Sequence, residues 1–350
     1  MHMGSEPPPG AYASKRLHSV TANPSMSDAT SPAIPTAVAA PGIGTRMRRW
    51  LVGGVAGDAR LHDERRIDWL RALPFLAMHA GCLGVLWVGA SPVAVAVAAL
   101  LYAVRMFAIT AFYHRYFSHR AFRTSRPVQA LFAMLGAASV QRGPLWWAAH
   151  HRHHHRHADT PQDHHSPGVR GLLWSHAGWF LTDAAFATDH RRVQDLTRFP
   201  ELRWLDRYDT AVPLLLAVAL YALGALLARV APALGTDGPQ MLVWGVFVST
   251  VVLFHATVTI NSLAHRYGRR RFATRDDSRN NLWLALLTFG EGWHNNHHFF
   301  PGSARQGFRW WEIDLTWYGL RAMQALGLVR DLKPVPAWVL AKADANKAGR

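Results

Sequence analysis

The residues of this chain best suited to chemistry are histidines that recur at short spacings. Two segments carry a His-x-x-His-His pattern, formed by His151, His154 and His155 and by His294, His297 and His298. Two shorter patterns are His114-x-x-x-x-His119 and Asn261-x-x-x-His265. Because positions i, i+3 and i+4 share one face of a helix, each His-x-x-His-His segment directs three imidazoles the same way. The patterns therefore predict a metal site.

The number of these histidines indicates how many ions the site holds. Nine imidazoles are more than one ion uses, since a zinc site takes about four ligands, so two ions are expected. Ligand type alone fits iron, copper, zinc or nickel. Long apolar segments elsewhere in the chain favour iron, because the oxidation of a lipid chain requires a redox metal and O2.

The spacing of His114 and His119 places a constraint on the local backbone. Residues at i and i+5 point about 140° apart on a straight α-helix. The two imidazoles can therefore share a face only if the helix bends or ends, and a break is expected near Ser118.

Histidines outside the four patterns have less definite roles. His79 and His255 lie in apolar segments, where an ionisable residue is often functional. A hydrogen bond to a neighbouring helix is the more ordinary role, and the sequence leaves both open. Surface or supporting roles are expected for His150, His153 and His157, and structural or solvated ones for His164, His165, His176 and His190.

The composition limits the partners of the protein. The 350 residues carry a net charge of +16, which fits nucleic acid, an anionic lipid surface or an acidic substrate. Apolar segments favour the membrane, and no nucleic-acid-binding motif is present. Cys82 is the only cysteine, so a Cys-ligated iron–sulfur cluster is excluded and electrons must come from another protein.

Apolar patterning divides the chain into regions. Four segments approach the roughly 20 residues that span a bilayer, at about 69–88, 93–112, 212–230 and 241–260, and two short turns join them into two hairpins. Around them are predicted a disordered tail (1–45), a basic segment on the membrane surface (46–66), a cap (113–210 and 261–335) and a flexible C-terminus (336–350). The fold class is thus an all-α integral membrane protein with its folded domain at 67–335.

The basic residues orient these segments. The hairpin tips hold almost no Lys or Arg, whereas the histidine-rich regions hold most of the Arg. The positive-inside rule then places both termini and the metal site on the cytoplasmic side. A composition rich in Ala, Arg and Gly favours a bacterial inner membrane.

The motifs together resemble those of the membrane fatty acid desaturases of the acyl-CoA Δ9, stearoyl-CoA desaturase-like type. The matching segments are His114-Arg-Tyr-Phe-Ser-His119, His151-Arg-His-His154-His155, Ser175-His176-Ala-Gly-Trp179, Asn261-Ser-Leu-Ala-His265, Gly290-Glu-Gly-Trp-His294-Asn-Asn-His297-His298 and Trp311-Glu-Ile-Asp314. The resemblance covers roughly residues 65–335.

This resemblance implies a fold, a cofactor and a reaction. The fold would be four transmembrane helices capped by a cytosolic domain. The nine histidines would bind two irons, with Asn261 reaching one of them through water. The reaction would be the O2-dependent insertion of a cis double bond, with Δ9 the expected position. A separate ferredoxin, rubredoxin or cytochrome-type donor is expected, because no His-Pro-Gly-Gly haem motif is present.

Substrate contacts follow less directly from the resemblance. Positions that hold the coenzyme A head group in vertebrate members read Arg142, Ala149 and His150 here, and a substrate-contacting Trp is replaced by Val258. Acyl-CoA is the first expectation, with acyl-carrier protein or lipid-bound chains as alternatives. Candidate substrate contacts are Ala98, Tyr102, Arg142, Trp147 and Trp179. Tyr102, the only bulky polar residue near the middle of the second apolar segment, is predicted to limit the depth of the acyl tunnel.

Two other functions fit parts of the pattern. A di-iron membrane hydroxylase or ketolase would use the same histidines, although the Asn261 and Glu-Gly-Trp-His294 matches favour desaturation. A His-rich metal transporter should carry carboxylates along its spans, and the four apolar segments hold none away from their ends.

Overall fold

The computed structural model describes Gly44 and residues 66–348. The predicted tail (1–45) and basic segment (46–66) lie outside this part of the chain, apart from Gly44 and Arg66. The described part is mostly helical. Its α-helices are Trp69–Cys82, Val85–Val88, Pro92–Phe107, Arg126–Ala137, Pro144–His157, Pro167–Arg170, Asp183–Phe186, Gln194–Thr197, Pro200–Arg207, Ala211–Val230, Gly238–Leu242, Ser249–Ser262, Leu282–Leu287, His294–Phe299, Leu315–Ala325 and Ala337–Ala348.

Shorter elements join or extend these helices. The π-helical segments are Ala108–Ser118, Trp174–Gly178 and Val243–Val248, and the 3-10 turns are Trp179–Leu181, His190–Val193, Pro232–Leu234 and Leu263–His265. Two short strands, Arg123–Thr124 and Val329–Arg330, pair antiparallel with Arg123 opposite Arg330.

Three continuous helices are long and apolar enough to cross a membrane: Pro92–Ser118, Ala211–Val230 and Gly238–His265. They coincide with the second, third and fourth predicted segments. Side-chain capping starts two of them, since Ser91 Oγ accepts from the amide of Ala94 at 3.1 Å and Asp237 Oδ1 from that of Gln240 at 2.8 Å. A proline follows each cap, as expected for the first turn of a helix.

The first predicted segment differs from the expectation of one continuous span. It forms the helix Trp69–Cys82 and, after a turn at Leu83 and Gly84, the short helix Val85–Val88. Glycines at 81 and 84 explain both the break and the packing. A β-carbon on Gly81 would lie 2.5 Å from the Phe247 ring, and one on Gly84 would lie 2.8 Å from Val243. The glycines permit close helix contact while weakening the helix that contains them.

The helix that contains His114 ends where the spacing predicted a break. Its last part, Ala108–Ser118, is a π-helix, and His119 caps it. The i→i+5 hydrogen bonding of a π-helix brings positions five apart toward one face, so His114 and His119 converge. The expected end near Ser118 is confirmed, and the π-helix is the additional feature that aligns the two imidazoles.

A core of aromatic and aliphatic residues fixes this π-helix against the cap. Phe112 stacks on Phe132 at 4.0 Å between ring centroids, and Phe112 and Phe117 are fully buried. Gly136 is required at its position, because a β-carbon there would lie 2.2 Å from the ring of Tyr113. The helices Arg126–Ala137 and Pro144–His157 thereby pack on the segment that carries His114.

The C-terminal segment differs from the predicted flexible region 336–350. Residues Ala337–Ala348 form a helix. Its buried Val339 and Ala343 belong to an apolar cluster with Phe272 and Phe308. The charged residues of the segment suggested a flexible region, but its apolar residues form one buried face of a helix.

Candidate metal centre

Short helical elements converge to place the predicted histidine ligands. His114 lies in the π-helix and His119 directly after it, while His265 ends the 3-10 turn Leu263–His265. The two His-x-x-His-His patterns lie on the helices Pro144–His157 and His294–Phe299. The helical spacing predicted from the sequence is therefore present at both patterns.

The nine histidines form two groups, within each of which one nitrogen per ring lies within 4.8 Å of all the others. One group is His114, His119, His151, His155 and His297, and the other is His154, His265, His294 and His298. Two nitrogens on opposite sides of an ion, each at about 2.1 Å, would be about 4.2 Å apart. The spacing within each group therefore suits one ion. Each His-x-x-His-His pattern supplies ligands to both groups.

Imidazole Nε2 atoms meet at the centre of both groups. In the five-histidine group, His297 Nε2 lies 2.9 Å from Nε2 of both His114 and His155. His119 Nε2 lies 2.8 Å from His151 Nε2. In the four-histidine group, Nε2 of His265 and Nε2 of His294 are 3.0 Å apart. These nitrogens are positioned to share a cation.

Carboxylates hold the opposite nitrogen of four of these rings. The pairs are His154 Nδ1 with Asp163 at 3.0 Å, His265 Nδ1 with Asp159 at 2.7 Å, His298 Nδ1 with Asp276 at 3.0 Å, and His114 Nδ1 with Glu291. A carboxylate only accepts, so Nδ1 carries the proton in each pair and Nε2 presents a lone pair to the centre. Such carboxylate–histidine pairing orients metal ligands and raises their basicity.

Electrostatics favour the neutral form of several rings and the charged form of the carboxylates, whereas at His154 burial is outweighed by the Asp163 carboxylate, which raises the pKa of that ring. Burial, reinforced by neighbouring imidazoles, holds the pKa of His119, His151 and His297 well below its usual value. Burial alone would raise the pKa of the Asp276 carboxyl, but its hydrogen bond and charge interaction with His298 lower it far below its usual range. Neutral imidazole is the form that binds metal.

The donor set of this centre fits two transition-metal ions. Nε2 lone pairs that face one another at 2.8–3.0 Å cannot satisfy each other when Nδ1 holds the proton, and a cation between them resolves the repulsion. All-imidazole coordination excludes magnesium and calcium, which prefer oxygen.

Asp159 shows that the fold is adapted to this arrangement. Its φ of 57° lies in the left-handed region, which costs of the order of 1 kcal/mol for a residue other than glycine. In this conformation its carboxylate accepts hydrogen bonds from His265 Nδ1, from the Ser166 hydroxyl at 2.7 Å and from the amide of Asp277 at 2.8 Å. Asp159 therefore joins three segments around one ligand.

Two cavities that share lining residues adjoin the centre. A cavity of about 390 Å³ is lined by Trp147, His151, Thr257 and Asn261 among mostly apolar residues. The same four residues also line a smaller cavity of about 40 Å³, which reaches Met106. Histidines from both groups line the smaller cavity, so Asn261 lies beside both. The smaller cavity therefore lies against the metal centre, and the larger, mostly apolar one shares part of its wall.

Three of the five predicted substrate contacts line a cavity, and the other two do not. Arg142, Trp147 and Trp179 line the larger cavity. Tyr102 lies one helical turn before Met106, in the same apolar cluster, and its hydroxyl donates to the Leu287 carbonyl at 2.6 Å. Ala98, a further turn away, is buried. Tyr102 and Ala98 therefore lie outside the lining of both cavities.

Arg142 is held by its surroundings. Its guanidinium lies 3.1 Å from the Asp209 carboxylate, donates to the Phe186 carbonyl at 2.9 Å and lies 3.7 Å from the centroid of the Phe186 ring. Its charge is thus neutralised at the cavity wall.

The remaining histidines lie outside the two groups. His79 Nε2 is 2.9 Å from His255 Nε2, and His255 Nδ1 is 3.0 Å from His176 Nε2. The expected hydrogen bond between neighbouring helices is therefore confirmed for His79 and His255. His150 packs between Trp146 and Trp179, and His153 lies 2.8 Å from the Gln162 carbonyl. His165 packs 4.4 Å from the ring of His154 and supports that ligand.

Sequence reasoning missed the four carboxylates. Glu291 could have been noticed, because it lies inside the Glu-Gly-Trp-His294 motif. Asp159 and Asp163 follow the His151–His155 pattern closely, but nothing in their spacing assigns them to His265 and His154. Asp276 lies in a segment without periodicity, and only the folded chain brings it to His298.

Comparison with known proteins identifies the family. Residues 90–331 match the fatty acid desaturase family. The chain is 37% identical over 271 residues to an sn-1 stearoyl-lipid 9-desaturase of Anabaena variabilis, covering 77% of this chain and 94% of that protein. It is 36% identical over 273 residues to a Delta-9 acyl-lipid desaturase of Arabidopsis thaliana, covering 77% of this chain and 84% of that one. The chain therefore belongs to the fatty acid desaturase family.

A further relative differs in substrate class. An icosanoyl-CoA 5-desaturase of Limnanthes douglasii is 38% identical over 216 residues, which cover 61% of this chain and 57% of that protein. The predicted reaction class, O2-dependent desaturation of a fatty acyl chain, is confirmed by these relationships. The acyl-CoA type in particular is not distinguished by them, since relatives named for lipid-bound and for CoA-bound chains are similarly close.

Proposed function

We propose that this protein inserts a cis double bond at Δ9 of a saturated acyl chain, using two irons held by the five-histidine and four-histidine groups. The observation that carries the proposal is the sorting of nine Nε2-presenting imidazoles into two adjacent groups, beside a small cavity whose wall is shared with a larger, mostly apolar one. Iron is chosen over zinc because removal of hydrogen from a methylene requires a redox metal. The Δ9 position is taken from the Anabaena and Arabidopsis relatives.

Residues of the chain prepare the substrate for this reaction. Trp147 and Thr257 line both cavities and would hold the acyl chain where it passes the centre. Gln141 donates to Thr257 at 3.0 Å, which fixes the wall at this point. The apolar lining excludes bulk water, which strengthens electrostatic interactions inside the site.

The atom and electron balance of desaturation shows which co-reactants the protein needs besides the acyl chain. The two adjacent methylenes lose two hydrogens, O2 takes up those hydrogens with two electrons and two protons, and two waters leave. When bound, the di-iron centre supplies the oxidising power for this step. Asp163, Asp159, Asp276 and Glu291 hold the ligand rings in place while the charge at the centre changes, and Asn261 is proposed to contact one iron through water.

The carrier of the acyl chain is proposed to be a membrane lipid. A stearoyl-lipid desaturase is among the relatives and is covered over 94% of its length. Arg142 is engaged by Asp209 and Phe186, so it does not serve coenzyme A phosphates. Acyl-CoA and acyl-carrier protein remain the alternatives, and purified enzyme offered stearoyl-CoA or stearoyl-glycerolipid distinguishes them.

The membrane arrangement completes the proposal. The three long apolar helices and the shorter first segment would form two hairpins, with the termini and the metal centre on the cytoplasmic side. Single cysteines introduced into a Cys82→Ser variant test this arrangement. A membrane-impermeant maleimide should label residue 190 only from the cytoplasmic side and residue 233 only from the opposite side, since both positions are exposed.

Expression in a bacterial host with a matched electron donor tests the activity. Wild type, His297→Ala and a control, His190→Ala, are compared by gas chromatography–mass spectrometry of total fatty acids, including hydroxy acids. His190 is exposed and outside both groups. A new Δ9 monounsaturated acid with wild type and His190→Ala, but not with His297→Ala, is expected.

Other outcomes of this experiment would change the assignment. An oxygenated product would make the protein a hydroxylase or ketolase. Purified wild type should contain about two irons per chain, whereas readily exchanged metal without any product would support a metal transporter.

A further inference from the structure

Each turnover of the reaction proposed above consumes two electrons that a reductant must supply, and the single cysteine of this sequence excludes a Cys-ligated iron–sulfur cluster within it. We propose that an acidic electron-carrier protein docks on a cationic face beside His119, formed by Arg120, Arg123, Arg198, Arg330 and Lys333. This inference rests on the proposed function, and its test separates the two.

The metal centre comes nearest the surface at the five-histidine group. Three of its five rings are partly exposed, against one of four in the other group. His151 owes its exposure to the apolar cavity that it lines. His119 and His155 line neither of these cavities, so their exposure is separate from the cavity that His151 lines. Their rings are 4.6 Å apart.

Several cationic side chains lie close to the partly exposed ring of His119. Arg120 follows His119 directly and is exposed. The guanidinium groups of Arg120, Arg198 and Arg330 all interact electrostatically with the Tyr116 hydroxyl, so they lie around one point. Lys333, also exposed, donates its backbone amide to the Ala121 carbonyl at 2.9 Å, which places it beside the same segment.

The short β-sheet brings two of these cations into an unfavourable pair. Arg123 lies directly opposite Arg330 across the strands, and like charges in that position destabilise a sheet. Asp331, 3.6 Å from Arg123, is itself 60% exposed and compensates little. Such a repulsive pair is relieved when an anionic surface binds over it.

Carboxylates on the cationic face are already engaged. Asp195 pairs with both Arg120 and Arg152. Neither Arg198 nor Arg330 pairs with a carboxylate among the described residues. A net positive potential therefore remains at the edge where His119 is exposed, and such a potential accelerates association with a partner of opposite charge.

Electron balance defines the partner. Two reduced carriers, each oxidised by one electron, supply the two electrons of one turnover, and the two protons come from water. The partner fitted by this face is a small acidic protein with a one-electron centre near its surface.

The experiment measures binding as well as turnover. A purified, strongly acidic [2Fe–2S] ferredoxin is the probe, with the iron-loaded full-length enzyme in detergent. Its Kd is measured as a function of salt for wild type, for Arg198→Glu with Arg330→Glu, and for a matched control, Arg266→Glu with Arg269→Glu. The control arginines are also exposed and follow His265, a ligand of the other group.

The Arg198/Arg330 variant should weaken ferredoxin binding by about tenfold or more and flatten its salt dependence, while the control changes it little. Turnover with a small chemical reductant, dithionite with methyl viologen, should be unchanged in all three proteins. Arg198→Gln with Arg330→Gln, which adds no new charge, should give a smaller shift in the same direction even if the reversal impairs folding.

Two results would overturn the docking proposal while leaving the proposed function intact. The first is a loss of ferredoxin affinity in the Arg266/Arg269 control that equals or exceeds the loss in the Arg198/Arg330 variant. The second is unchanged ferredoxin affinity in both the Arg→Glu and the Arg→Gln variants of Arg198 and Arg330. In either case the enzyme still desaturates with the chemical reductant. Failure of wild type to desaturate with either reductant would overturn the proposed function itself.

Discussion

Arg115 and Asp314 form a bidentate ion pair in the interior, with Nη1–Oδ2 and Nη2–Oδ1 distances of 3.0 and 2.9 Å. The same guanidinium donates from Nη2 to Glu291 at 3.0 Å, and Glu291 contacts Nδ1 of the ligand His114. The C-terminal Trp311-Glu-Ile-Asp314 motif is thereby connected to the metal centre through two buried charges.

Asp314→Asn should strongly destabilise the protein, because it leaves Arg115 buried with an incomplete partner. Removal of one member of a buried ion pair costs about 3–5 kcal/mol, and both side chains are almost fully buried. Thermal unfolding in detergent measures the loss. The exposed Arg123–Asp331 pair provides the control, since Asp331→Asn should cost less than about 1 kcal/mol. Equal effects of the two variants would contradict the structural role of the buried pair.

Much of the metal centre could be predicted from the sequence, because helical spacing puts His151, His154 and His155 on one face wherever the helix lies. The placement of His154 in a different histidine group from His151 and His155 could not be predicted. It depends on how this helix crosses the His294–Phe299 helix, which local spacing does not encode.

The predicted spans show the same limit. Apolar composition located three of them, but it could not show that Gly81 and Gly84 interrupt the first segment, since that depends on Phe247 and Val243 of a distant segment. The π-helix before His119 is similar. The i, i+5 spacing of His114 and His119 predicted a bend or an end of the helix. That the helix becomes a π-helix there depends on the packing of Phe112 and Phe117.

Asp276→Ala should reduce metal retention without unfolding the cap. Loss of the carboxylate frees the ring of His298, and mutations of such orienting partners lower metal affinity by about 10–100-fold. Iron content after dialysis against a chelator measures the effect. Asp276→Asn, which keeps an acceptor for Nδ1, should retain more iron. The neighbouring Asp277, whose side chain is 55% exposed, provides the control Asp277→Ala, and iron loss in that variant equal to that in Asp276→Ala would refute the orienting role.

Removal of the metal should lower the unfolding temperature of the wild type. A ligand that binds only the folded state stabilises it by about 2.7 kcal/mol at a hundred times its Kd, and here nine rings from several elements are joined by the ions. Differential scanning fluorimetry before and after chelation measures the shift, and added ferrous iron should reverse it. His297→Ala, which has lost a ligand close to both His114 and His155, should respond less to chelation. An identical response would indicate that the five-histidine group binds no structural ion.

Tyr102→Ala should shift the product profile toward longer acyl chains. Met106 lines the smaller cavity, and Tyr102 lies one turn before Met106 on the same helix, outside this lining and held by its hydrogen bond to the Leu287 carbonyl. Truncation of the ring would extend the smaller cavity beyond Met106, so a longer methyl end fits while the metal centre is unchanged. Competition between saturated chains of two lengths, analysed by gas chromatography, measures the preference. Tyr102→Phe is the matched control, since it removes the hydroxyl but keeps the ring and should retain the wild-type preference. If Tyr102→Ala also retains that preference, the smaller cavity ends before Tyr102, and Met106 with Leu253 sets the chain length instead.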